Sequence, residues 1–98
     1  MTGSAAVPDF AAFEAEMRGR GFDTVIERRM EPGTVLDDHE HCFALELLVV
    51  EGEMTVQHHG ITRRLLPGDR LVLPRGEPHA ETYGAQGAVF WVARRHAA

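Results

Sequence analysis

Two short stretches of the 98-residue chain concentrate side chains that can do chemistry. In "DDHEHCFALE", Asp37 to Glu46, two histidines stand one residue apart, with aspartates before them and a glutamate after. In "HAETY", His79, Glu81 and Tyr83 occupy alternate positions. On a β-strand, side chains two residues apart share a face and lie about 6.6–6.8 Å apart along the strand. His39 and His41 can therefore aim both imidazoles at one point, and neutral imidazole suits iron, zinc, nickel or copper. A lone His-x-His pair fits two surface histidines in a polar loop just as well. The choice turns on a third ligand returning from elsewhere in the chain.

The elements that must position these groups are mostly strands. Only "PDFAAFEAEMRGRG", Pro8 to Gly21, reads as a helix. Phe10, Phe13 and Met17 make one apolar stripe at steps of three and four, suited to packing on a sheet. Pro8 suits the first turn, and Gly19 and Gly21 the stop. From Phe22 onward, "FDTVIERRM", "FALELLVV", "EMTVQHH", "ITRRLL", "RLVL", "HAETY" and "AVFWVARR" are short β-forming segments. Gly and Pro turns separate them, at Pro32-Gly33, Gly52, His59-Gly60, Pro67 to Asp69 and Pro74 to Pro78. That rhythm predicts an antiparallel sandwich or barrel. The division is residues 1–21, a tail and helix packing on the barrel, and residues 22–95, the barrel itself.

At this length the chain holds one core, and a bound metal or partner subunit would add useful stability. A formal net charge of -5 gives no basic face for nucleic acid. The pairs Arg28-Arg29, Arg63-Arg64 and Arg94-Arg95 are scattered and read as solvated strand edges or termini. Cys42, the single cysteine, has no internal disulfide partner. "MTGSAAVPDF" lacks the features of a signal peptide, and the apolar run "LLVV" is far too short to span a bilayer. The expectation is a cytoplasmic protein with no membrane contact.

Two spacings carry a resemblance to the cupin superfamily. Gly33, five residues, His39-x-His41, four residues, Glu46 resembles its first motif. Gly68, five residues, Pro74-x-Gly76, two residues, His79, three residues, Tyr83 resembles its second, with tyrosine where the family has asparagine. The resemblance covers about Glu31 to Arg95. It implies an all-β cupin-type jelly-roll barrel, a homodimer, and a divalent transition metal (Fe, Zn, Ni or Mn) in the barrel mouth. The family's ligands map onto His39, His41 and His79, which supplies the missing third histidine.

The oxygen donor is contested. The family's glutamate lies seven residues before the glycine that closes the first motif, here Gly52, and that position is Leu45. Glu46 is one step late, and a one-residue shift turns a side chain to the other face unless a bulge absorbs it. Glu46 is thus either a metal ligand or an outward carboxylate held by an arginine. Glu81 shares a face with His79 and can complete the shell, orient a water or bind substrate, with Tyr83 beside it as an acid or base. Asp37 and Asp38 could steady His39 or simply face water. Cys42 should be a buried thiol. His58, His59 and His96 should be solvent-exposed. Phe43, Phe90 and Trp91 could line a pocket, fill the core or, for Trp91, cover a dimer interface.

Cupins include dioxygenases, isomerases, lyases, decarboxylases and non-catalytic sensors, so fold names no reaction. The leading expectation is a mononuclear metalloenzyme, an oxygenase or isomerase, acting on a small organic molecule with Glu81 and Tyr83 at the reacting atom. The alternative is a metal- or ligand-binding sensory module. A purely structural metal ranks last, since closed sites are usually cysteine-rich.

Overall fold

Asp9 begins the only helix among the described residues, one residue after the proline that marks it in the sequence. The structure, a computed structural model, describes residues 7–96. Residues 1–6 of the expected N-terminal segment, and 97–98, lie outside that range. Asp9 is extended and its carboxylate accepts from the Ala12 N–H at 2.7 Å, capping α1, Phe10–Gly19. Phe13 and Met17 of the predicted stripe are fully buried. Among the described residues, no helix is long and apolar enough to cross a membrane.

Six strands follow: β1 (Thr24–Met30), β2 (Val35–His39), β3 (Ala44–His58), β4 (Ile61–Leu65), β5 (Arg70–Leu73) and β6 (His79–Arg95). All pairs are antiparallel. The order is β1-β6-β3-β4, with β2 pairing β6 and β5 pairing β3. The protein is thus all-β with one short helix, as the turn rhythm predicts. His59 and Gly60 both take positive φ between β3 and β4, the backbone of a tight hairpin turn.

Two expected breaks are not breaks. The sequence separates "FALELLVV" from "EMTVQHH", and "HAETY" from "AVFWVARR"; each pair is one long strand, β3 or β6. What reads as punctuation is a crease. Gly52 has φ 74°, and a Cβ there would lie 2.1 Å from the Gly87 carbonyl oxygen. Gly87 has φ 69°, and its Cβ would meet the Met30 carbonyl oxygen at 2.3 Å. Register slips beside both, between Val49 and Glu51 and between Gly52 and Met54. Such bulges bend a strand and exchange its faces.

The exchange decides what points inward. On β3 the interior set runs Leu45, Leu47, Val49, then Met54, Val56. On β6 it changes from Tyr83 to Ala88, Phe90 and Val92. The opposite face carries Leu48, Trp91 and Ala93, which pack with Phe13 and Met17 beneath α1. Trp91 is accordingly core: its ring meets Phe10 at 5.3 Å and Phe13 at 5.7 Å, and its indole N–H donates to Glu27 at 2.9 Å. It packs beneath α1 and is not among the residues that line the cavity.

Candidate metal centre

A bulge aligns two of the three histidines, His39 and His79. From Leu36 to His39, β2 advances three residues while β6 retreats only from Glu81 to His79, so His39 lands opposite His79. Without the extra residue Asp38 would occupy that place. His41 lies just past β2, its backbone carbonyl accepting from the Gly76 N–H at 2.9 Å. The "PRG" turn is thereby tied to the His-x-His segment. The three rings meet at centroid distances of 4.3 Å (His39–His79), 5.0 Å (His39–His41) and 5.2 Å (His41–His79). One nitrogen from each lies within 4.8 Å of the others.

Hydrogen bonds set the tautomers. His39 Nδ1 lies 2.8 Å from the Asp37 carbonyl oxygen, and His79 Nδ1 lies 2.9 Å from that of Glu77. A carbonyl only accepts, so both Nδ1 atoms carry protons, and in the neutral rings both Nε2 atoms present lone pairs. It is the Asp37 backbone, and not an aspartate side chain, that steadies His39. His41 is pushed below the usual imidazole range by burial first, then by His79 and His39. Its neutral form therefore persists to lower pH than that of a free histidine.

Glu81 completes the cluster. Its Oε2 lies 3.4 Å from His39 Nε2 and 3.2 Å from His79 Nε2. The second contact is close but not aligned as a hydrogen bond, and His79 Nε2 is buried without a partner. With the imidazoles neutral and the carboxylate ionised, these atoms turn lone pairs toward one another, an arrangement that a cation between them would relieve. Ligands around an ion at about 2.1 Å in tetrahedral array are themselves about 3.4 Å apart. The donor set fits a divalent transition metal. The Tyr83 hydroxyl donates to Glu81 Oε1, and burial, then that bond, raises the phenol pKa so that it stays protonated.

Glu46 is not brought to this cluster. It shares a β3 face with Leu48, away from the cavity, and is 4% exposed. Arg20 donates to it at 2.8 Å and Arg70 at 3.0 Å, while Arg70 also holds Glu16 of α1 at 2.9 Å. The strand parity explains this: the bulges lie after Glu46, too late to turn it inward. It clamps the helix to the sheet. Glu46→Ala is expected to lower stability by about 1–2 kcal/mol, since both arginines are partly solvated, and to leave metal content unchanged. Thermal melts with metal analysis check this.

The histidines and Glu81 open on a cavity of about 440 Å³ with mainly apolar walls, including Leu45, Leu71 and Val92. Phe43 and Phe90 line it; Phe43 stacks on His41 at 4.7 Å. Two further cavity residues escape the sequence reading, Arg28 and Arg94. Arg94 alternates with Phe90 and Val92, and that period is the signal that places it inward. Elsewhere, Cys42 is exposed in the bend between β2 and β3, not buried as the sequence suggests. His59 is exposed, but His58 is mostly buried at the end of β3 with Nδ1 2.5 Å from Glu77. His96 is exposed.

A family described as the ChrR cupin-like domain matches residues 17–98. No curated protein matches the chain significantly. Among solved structures, the DMSP lyase DddQ from Ruegeria pomeroyi DSS-3 is similar at 28% identity and TM-score 0.67, over 72% of this chain and 36% of that one. The polyketide cyclase RemF from Streptomyces resistomycificus is similar at 28% identity and TM-score 0.64, over 82% and 60%. A cupin-like protein from Thermotoga maritima shares the fold at 24% identity and TM-score 0.65, over 74% and 56%. The chain thus spans about a third of the lyase's length.

Proposed function

The chain belongs to the ChrR cupin-like domain family, and on that premise we propose that it is a small metal-dependent enzyme acting on a small organic molecule. The observation that carries the reading is the set of mutually facing acceptors, His39, His79 and Glu81, at the wall of an accessible cavity. His39, His41 and His79 hold the ion, and Glu81 Oε2 supplies the oxygen donor. When bound, a divalent ion there acts as a Lewis acid toward a substrate oxygen, or supports oxygen chemistry if it is iron.

The remaining work falls to this chain's own groups. Tyr83 fixes the Glu81 carboxylate through Oε1, so that Oε2 keeps facing the histidines. The pair holds one proton between two oxygens, open to a substrate atom that displaces their hydrogen bond. The apolar walls exclude water, and a volume of about 440 Å³ admits a small molecule. The names of two similar structures, a lyase and a cyclase, favour isomerase- or lyase-type bond rearrangement over oxygenation. The homodimer and cytoplasmic setting expected from the sequence belong with this reading and do not carry it.

The test is metal analysis of the protein as purified, with turnover on a panel of small oxo- and hydroxy-acids. Tyr83→Phe is expected to weaken metal affinity by about 10–100-fold while leaving the fold intact. A wild-type protein that neither retains nor takes up a divalent metal ends the proposal. Tight binding of a panel compound without turnover replaces the enzyme with the sensory module.

A further inference from the structure

Arg94 reaches the cavity without an acid to meet it. Its Nε is buried and has no hydrogen-bond partner. Its guanidinium lies over the Phe43 ring, 4.9 Å from the centroid, and the same ring stacks on His41. One aromatic side chain therefore separates this cation from a metal ligand. Arg28 lines the same cavity, and among the described residues neither arginine takes part in an ion pair. The available carboxylates are otherwise placed: Glu81 is held by Tyr83 and faces the histidines, and Asp37 lines the cavity without pairing to either arginine. Thr24, the cross-strand partner of Arg94, leaves a second buried polar atom unsatisfied, its hydroxyl oxygen.

Arg94 is half-buried in a mainly apolar cavity beside Arg28, a second and more exposed cation, and with little solvation on the Arg94 side the two repel each other. Burial, and then Arg28, depresses the Arg94 pKa, as this predicts. We infer that Arg94, assisted by Arg28, is an anion subsite that selects substrates bearing a carboxylate, held at the opposite end from the atom presented to the metal centre. A planar guanidinium matches a carboxylate with two parallel hydrogen bonds. The inference rests on the proposed function for the identity of the reacting end, and adds the charge and length of the substrate. One end must be anionic, and the other must reach His39, His41 and His79 past Phe43.

The test compares butanoate with butanamide, equal in shape and different in charge, by ligand-observed NMR titration of the metal-loaded protein. Wild type is expected to prefer butanoate by about 10–100-fold, and Arg94→Gln to abolish that preference with metal content and melting temperature unchanged. Arg28→Gln should diminish it less, because that residue is exposed. No preference in wild type overturns the inference. So does a preference that survives in Arg94→Gln, which means the carboxylate sits on the ion instead. Metal analysis of the same samples separates this failure from that of the metal site: an Arg94-dependent preference in protein that holds no metal upholds the subsite and removes the enzyme reading.

Discussion

His79→Ala is expected to strip the protein of metal. Loss of a residue that merely orients a ligand lowers affinity by about 10–100-fold, and His79 is proposed as a ligand itself, 2% exposed and central to the cluster. Its removal leaves His39 and His41 on one short segment, with Glu81 across from them. The readout is metal per folded chain, with circular dichroism to establish folding. Melting with and without a chelator gives a second. An ion at a thousand times its dissociation constant stabilises by about 4 kcal/mol, and in a domain of this size that corresponds to about 15 °C or more. Wild type should show the chelator-induced shift and His79→Ala should not. Full metal retention by the variant would remove the three-histidine centre.

Gly52→Ala should cost more stability than any surface change. Positive φ alone strains an L-residue by about 1 kcal/mol. Here the added methyl would also sit 2.1 Å from the Gly87 carbonyl oxygen and 3.0 Å from Ala88 Cα, and backbone on the facing strand cannot rotate aside. The expected loss is about 3 kcal/mol or more, a fall of roughly 12–24 °C in melting temperature. Gly33→Ala supplies the control. Its φ is also 74°, yet nothing lies within 4 Å of the new Cβ, so only the torsional part applies. Equal melting temperatures for the two variants would show that the strands part easily at the crease.

The three histidines were legible because two motifs fix their spacing and alternation fixes their direction. The same alternation flags Glu46 as doubtful: one residue late means the other face, and Arg20 and Arg70 claim it there. The unreadable part was where alternation resets. A glycine in a β-rich chain can end a strand or crease it, and composition alone does not say which. Gly52 and Gly87 crease, so the inward set changes on both long strands. Arg94 looks like half of a solvated terminal pair until Phe90 and Val92 are known to face inward. Cys42 departs from its expected burial for another reason: it lies in the bend between β2 and β3, where strand alternation does not apply, and it is exposed.

Among the described residues the five-residue strand β2 has a single neighbour, β6, and its ladder is interrupted by the bulge that delivers His39. No residue in it is fully buried. The strand is tied to the barrel by Leu36, which packs against the core cluster, and by backbone bonds at either end, Tyr83 N–H to the Thr34 carbonyl and Gly76 N–H to that of His41. A bound ion would add a further tie through His39, so that filling the centre and holding this margin against β6 would be linked.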